Sequence, residues 1–114
     1  MIRVRRVYEP ADPADGFRVL VDRIWPRKLK MEQAAIDLWL KDVAPSPELR
    51  KWFGHDPAKW DEFRKRYASE LERNPDTVRF LNEKSRSGML TLVFAAKDAE
   101  HSNAAALKAY LEAR

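Results

Sequence analysis

At 114 residues, 45% apolar and 35% charged, the chain is sized for one ordinary hydrophobic core and lies far from the composition of disordered segments. It has no cysteine, which removes a disulfide-stapled scaffold, a thiolate zinc site and a thiol nucleophile from consideration. The net charge of +4 is uneven, because residues 1–30 carry eight basic side chains against four acidic ones while residues 31–114 carry fourteen of each.

That basic surplus favours an anionic partner, either a phosphate-bearing small molecule or a nucleic-acid backbone; a solvated basic strand face is the plainer alternative. The first residues, Met-Ile-Arg-Val-Arg-Arg-Val, offer no apolar run of signal-peptide length, and no segment approaches a membrane span. A cytoplasmic protein with no membrane partner is the expectation.

In chain order, Ile2 and Val4 alternate with Arg3 and Arg5 across Ile2–Tyr8, the pattern of an edge or half-covered strand. Two prolines, two aspartates and Gly16 make residues 9–16 a loop. Phe17–Ile24 reads as a second strand with Phe17, Val19 and Val21 on one face and Leu20 on the other, stopped by Pro26. Residues 31–43 predict a short helical turn followed by a short strand. Ser46-Pro47-Glu48 starts a helix that Gly54 ends, by a hydroxyl cap, proline at the first helical position and glycine after the last.

A second helix start falls at Asp56-Pro57, and Trp60, Phe63, Tyr67 and Leu71 then form one stripe at helical spacing, a packing surface rather than a cofactor box. Asn74-Pro75-Asp76 begins a third helix carrying Val78 and Leu81 and closed by Gly88. Met89–Ala96 is almost continuously apolar, as in a strand covered on both faces, and is the expected central strand. Asp98 is placed as the cap of a final helix that buries Leu107, Tyr110 and Leu111. The fold class expected from these elements is α/β, with residues 1–114 forming a single domain: a small, mostly parallel sheet of three or four strands flanked by about four helices.

Familiar catalytic signatures are missing. Gly16, Gly54 and Gly88 lie too far apart for a dinucleotide fingerprint or a Walker-type phosphate loop. No serine stands in a nucleophile-elbow context, and His55 and His101 are too few for a three-histidine metal site. No metal and no cofactor is expected.

The remaining candidates lie just past the predicted strands, where ligands of open α/β sheets gather. Arg23 and Arg27 flank Trp25, so two guanidinium groups could grip a phosphate or carboxylate while the indole stacks on a planar group. Lys97, Asp98, His101 and Asn103 follow the last strand at a helix start, a favourable place for an anion. His55, between two helices, either faces the same cleft or stabilises its own turn. Against these readings stand structural ones: Arg23 pairing with Asp22, Trp25 in the core, Asp98 as a simple cap, His101 bonded to a backbone carbonyl.

At these segments the chain resembles the YeaO-like family (domain of unknown function 488). The resemblance is carried by Val21-Asp-Arg-Ile-Trp-Pro-Arg27, Trp39-Leu-Lys-Asp-Val-Ala-Pro-Ser46, Leu49-Arg-Lys-Trp-Phe-Gly-His-Asp-Pro57 and Ala95-Ala-Lys-Asp-Ala-Glu-His101, in that order over nearly the whole chain. It implies an α/β domain and no particular activity. Lys28 stands where the pattern calls for glycine, and Ser102 where relatives carry asparagine, with Asn103 next to it.

The expected function is binding of a small phosphate- or nucleotide-like anion in a strand-end cleft. Arg23 and Arg27 would be clamps, Trp25 a wall, and Lys97 and His101 anion donors, with His101 the first choice for any acid/base role. The alternative is a non-enzymatic nucleic-acid or protein-interaction module using the basic N-terminal quarter, including Arg18, Lys28 and Lys30.

Overall fold

The computed structural model describes residues 1–114. Four strands, β1 (Ile2–Arg6), β2 (Phe17–Leu20), β3 (Leu38–Trp39) and β4 (Leu90–Phe94), form one wholly parallel sheet in the order β1-β4-β2-β3. Five helices accompany them: α1 (Met31–Ala34), α2 (Pro47–Phe53), α3 (Trp60–Glu72), α4 (Pro75–Ser87) and α5 (Asn103–Glu112). The protein is therefore α/β, and no helix is long and apolar enough to cross a membrane.

The period-two pattern of each strand assigns the two faces of the sheet. Val19, Val21, Leu90, Leu92 and Phe94 point to the large core, where Leu49, Phe53, Phe63, Tyr67, Leu71, Val78, Leu81, Leu107 and Leu111 from α2 to α5 cover them. Val7, Leu20 and Val93 point the other way into a smaller cluster with Ala34, over which Trp25, Leu29, Ile36 and Trp39 pack. β4 is buried at all five positions because both faces and both edges are covered, which is why its sequence is an unbroken apolar run.

A charge cluster sits on the smaller face. Arg3, Thr91 and Arg18 occupy one register row across β1, β4 and β2. The loop from β1 to β2 places Asp15, fully buried, over that row. Asp15 receives Arg3 at 2.8 Å, Arg18 at 2.5 Å and Arg5 at 3.7 Å, and its carbonyl accepts from the Thr91 hydroxyl. Burial alone would push the Asp15 carboxyl up, but the Asp12 backbone hydrogen bond, the bonds from Arg3 and Arg18 and the Arg5 charge together hold it below the usual carboxylate range. Arg18 also donates to the Ala34 and Ala35 carbonyls, stapling the end of α1 to the sheet. Gly16 is required here: its φ is +63°, and a Cβ would lie 2.4 Å from the Met89 carbonyl oxygen.

Some element ends differ from the sequence expectation. β2 stops at Leu20 rather than Ile24, because after the Val21 amide bonds Val93 the Asp22 side chain, not its backbone, takes the Ala95 amide. Asp56 caps a short 3₁₀ turn (Pro57–Lys59), and α3 proper starts at Trp60. Asp98 caps only the Glu100 and His101 amides of a turn; Ser102 is the cap of α5, accepting from the Ala105 amide.

Candidate functional site

The chain leaves β2 toward the smaller cluster, through Trp25 and Leu29, and leaves β4 toward the large core, through α5. Neighbouring parallel strands whose continuations part to opposite faces leave a crevice beyond their carboxyl ends. A cleft of about 640 Å³ opens there. Residues 22–27 after β2, residues 44–55 around α2, and Ala95, Ala96, His101, Ser102 and Asn103 after β4 supply most of its lining, with Tyr8 at the rim and Phe63 on the floor.

Four permanent cations line it: Arg23, Arg27, Arg50 and Lys51. None has a carboxylate oxygen within 4.0 Å, since every ion pair of the molecule involves other basic residues. Arg23 is half-buried and makes one hydrogen bond, to the Ala44 carbonyl at 3.2 Å; its Nε is buried without any partner. Arg27 is exposed, and only its backbone is engaged, by the Tyr8 hydroxyl. Neither arginine pairs with Asp22.

Asp22 is the one carboxylate in the lining. Its Oδ2 accepts from the Ala95 amide at 2.9 Å and its Oδ1 from the Asn103 amide group at 3.2 Å, while Asn103 also donates to the Val21 carbonyl. Asp22 thus ties β2 to β4 and to the first residue of α5. Burial raises its carboxyl above the ordinary range, and the bonds from Ala95 and Asn103 and the charge of Arg50 only partly offset that rise.

His101 also lines the cleft, with its ring edge-on to Trp60, centroids 5.2 Å apart, and Nδ1 2.8 Å from Asp98 Oδ2. The carboxylate fixes the ring through Nδ1 and leaves Nε2 as the nitrogen available to the cleft. That hydrogen bond from His101 is the main reason the Asp98 carboxyl is held below its usual range. His55 reaches the cleft from the residue after Gly54, and both adopt left-handed φ, +55° and +57°. A non-glycine residue held in that region is strained, so the α2 turn keeps His55 at the rim at a local cost.

Of the residues singled out from sequence, Arg23, Trp25, Arg27, His55, His101 and Asn103 line one cleft. Lys97 is exposed outside the lining, and Asp98 acts behind His101. The Trp25 indole packs edge-on against Trp39, 5.4 Å between centroids, and donates Nε1 to the Leu29 carbonyl, so it closes its own loop as well as walling the cleft. Lys28 takes φ +59°, so the tight turn after Arg27 survives without glycine. Asp22, Arg50 and Lys51 were not legible as site residues. Arg50 and Lys51 stand in the Leu49–Pro57 segment, whose basic pair four or five residues before His55 was the available signal.

The whole chain, residues 1–114, matches the family model described as the inactive DUF488-N3 subclade. It is 44% identical over 113 residues to an uncharacterised protein of Mycobacterium tuberculosis and to one of Mycobacterium bovis, covering 99% of this chain and 95% of each of theirs. The uncharacterised protein YeaO of Escherichia coli is 38% identical over 110 residues, covering 96% of both chains. No solved structure matches it. Matches of this extent place the chain as a member of the DUF488 family that includes YeaO, within the branch described as the inactive DUF488-N3 subclade.

Proposed function

We propose that the protein binds a small anionic ligand of the phosphate-bearing class in the cleft between the ends of β2 and β4, and holds it without chemical turnover. The observation that carries this reading is the set of four lining cations with no carboxylate partner. Leaving a guanidinium half-buried and uncompensated is costly, and an anion seated against it removes the cost. The volume suits a small molecule, and the apolar wall of Trp25, Pro26, Pro45 and Phe53 suits a flat or aliphatic part of it.

In this reading Arg23 and Arg27 clamp the charge with Arg50 and Lys51. Trp25 and His55 bound the cleft, His101 offers Nε2, Asn103 fixes the crevice, and Lys97 adds to the field from outside. Binding without turnover is supported by the subclade's description as inactive and by the absence of a cysteine nucleophile.

The nucleic-acid alternative has less to draw on. Arg3, Arg5 and Arg18 converge on Asp15, and Arg6 donates to the Ala95 and Ala96 carbonyls, so four of the eight basic side chains in residues 1–30 are engaged internally.

The test is thermal unfolding with millimolar pyrophosphate against sodium chloride at matched ionic strength. A seated anion raises the melting temperature by mass action, above the salt control. Equal melting curves in the two buffers would overturn the reading.

A further inference from the structure

Asp22 is out of place in a cleft built for a bare anion. A carboxylate among the lining groups repels phosphate, and burial already opposes its ionisation. Its hydrogen bonds use one acceptor position on each oxygen, to Ala95 on Oδ2 and to Asn103 on Oδ1. A carboxylate has about four such positions, so each oxygen keeps one for a further donor, and Asp22 is among the residues that line the cleft. The two bonds also fix the carboxylate plane, so it presents those positions without losing side-chain freedom on binding.

A fixed acceptor beside a group of cations matches a ligand that carries both a phosphate and neutral hydroxyl donors. The apolar lining residues Trp25, Pro26, Pro45 and Phe53 are available for a planar substituent. We propose that Asp22 reads a sugar hydroxyl, and that the ligand of the cleft is a ribose phosphate, free or as part of a nucleotide. This deepens the anion-binding reading and rests on it. The carboxylate then selects twice, by accepting from the sugar and by weakening, without abolishing, the binding of inorganic anions that offer no donor.

The experiment is titration calorimetry with adenosine monophosphate, its 2′,3′-dideoxy analogue, ribose 5-phosphate and pyrophosphate. Adenosine monophosphate is expected to bind at least about tenfold more tightly than the dideoxy analogue of equal charge, the range for one unmade hydrogen bond to a charged group. Ribose 5-phosphate matching adenosine monophosphate would identify the free sugar phosphate as the source, and a weaker ribose 5-phosphate the nucleotide. In Asp22→Asn the adenosine monophosphate affinity should fall to that of the analogue while pyrophosphate binds as well as before or better, opposite signs that a damaged fold would not produce. The wild-type comparison needs no variant and stands even where Asp22→Asn fails to fold. Equal affinity for adenosine monophosphate and the dideoxy analogue, with pyrophosphate still bound, overturns the role of Asp22 and leaves the anion site standing. No binding of any of the four compounds overturns both.

Discussion

Asp15 and Asp22 are seven positions apart in the chain, and the two carboxylates meet opposite surroundings. Asp15 lies in the β1–β2 loop with three guanidinium groups around it, and its carboxyl is held below the ordinary range. Asp22 lines a cleft with three arginines and a lysine, none of which pairs with it, and its carboxyl is raised by burial. In the first region cations are consumed to close the fold. In the second they make no ion pair, and three of the four, Arg27, Arg50 and Lys51, are exposed to solvent. Charge density in the sequence therefore does not distinguish the two regions; whether the charges are paired does.

The contrast predicts the largest effect at Asp15. Asp15→Ala leaves Arg18, nearly fully buried, and its two neighbours without a counter-charge, and should cost about 3–5 kcal/mol in chemical denaturation. A loss under about 1 kcal/mol would place the cluster among dispensable surface pairs. Phe63→Ala, on the cleft floor and stacked on Phe53 at 4.3 Å, should cost a comparable amount, about 3–5 kcal/mol, because it opens a cavity between α3 and the sheet. Tyr67→Phe, behind the same floor, should cost about 1–2 kcal/mol by stranding the Val43 carbonyl that its hydroxyl serves at 2.6 Å.

The pH dependences of the two carboxylates should have opposite signs. Because the Asp15 carboxyl is lowered, its contribution is present above the unfolded value of 3.8 and disappears as pH falls through the folded value. The stability gap between wild type and Asp15→Asn should therefore shrink in acid. The Asp22 carboxyl is raised, so its protonated form stabilises the fold below 3.8, and that contribution is lost as pH rises through the folded value. Wild type should accordingly gain on Asp22→Asn as pH falls toward 3.8, and parallel profiles for the two pairs would break the comparison.

Much of the fold was legible because local chemistry and tertiary packing agree. The Ser46-Pro47 start and Gly54 stop of α2, the Pro75 start and Gly88 stop of α4, and the apolar run of β4 all appear where the sequence puts them. The end of β2 was not legible, since it depends on a side chain replacing the backbone in a pairing with a strand seventy residues on. The start of α5 was missed for a similar reason: Asp98 and Ser102 are both competent caps, and the Asp98–His101 pair decides which turn each one closes. In the cleft, the strand-end residues Arg23, Trp25, Arg27, His101 and Asn103 could be named because parallel sheets gather ligands there. Arg50 and Lys51 come from a helix far along the chain, and that they line the same cleft as Asp22 depends on how the fold brings α2 to the end of β2.

The central claim, that the cleft's cations are held for an anion while the Asp15 cluster is structural, is tested most directly by melting wild type and Arg27→Ala with and without millimolar pyrophosphate. Arg27 is exposed and makes no ion pair, so removing its charge should leave the melting temperature unchanged or slightly raised and largely abolish the pyrophosphate-induced increase. A destabilised Arg27→Ala protein that still gains as much from pyrophosphate as wild type would contradict it.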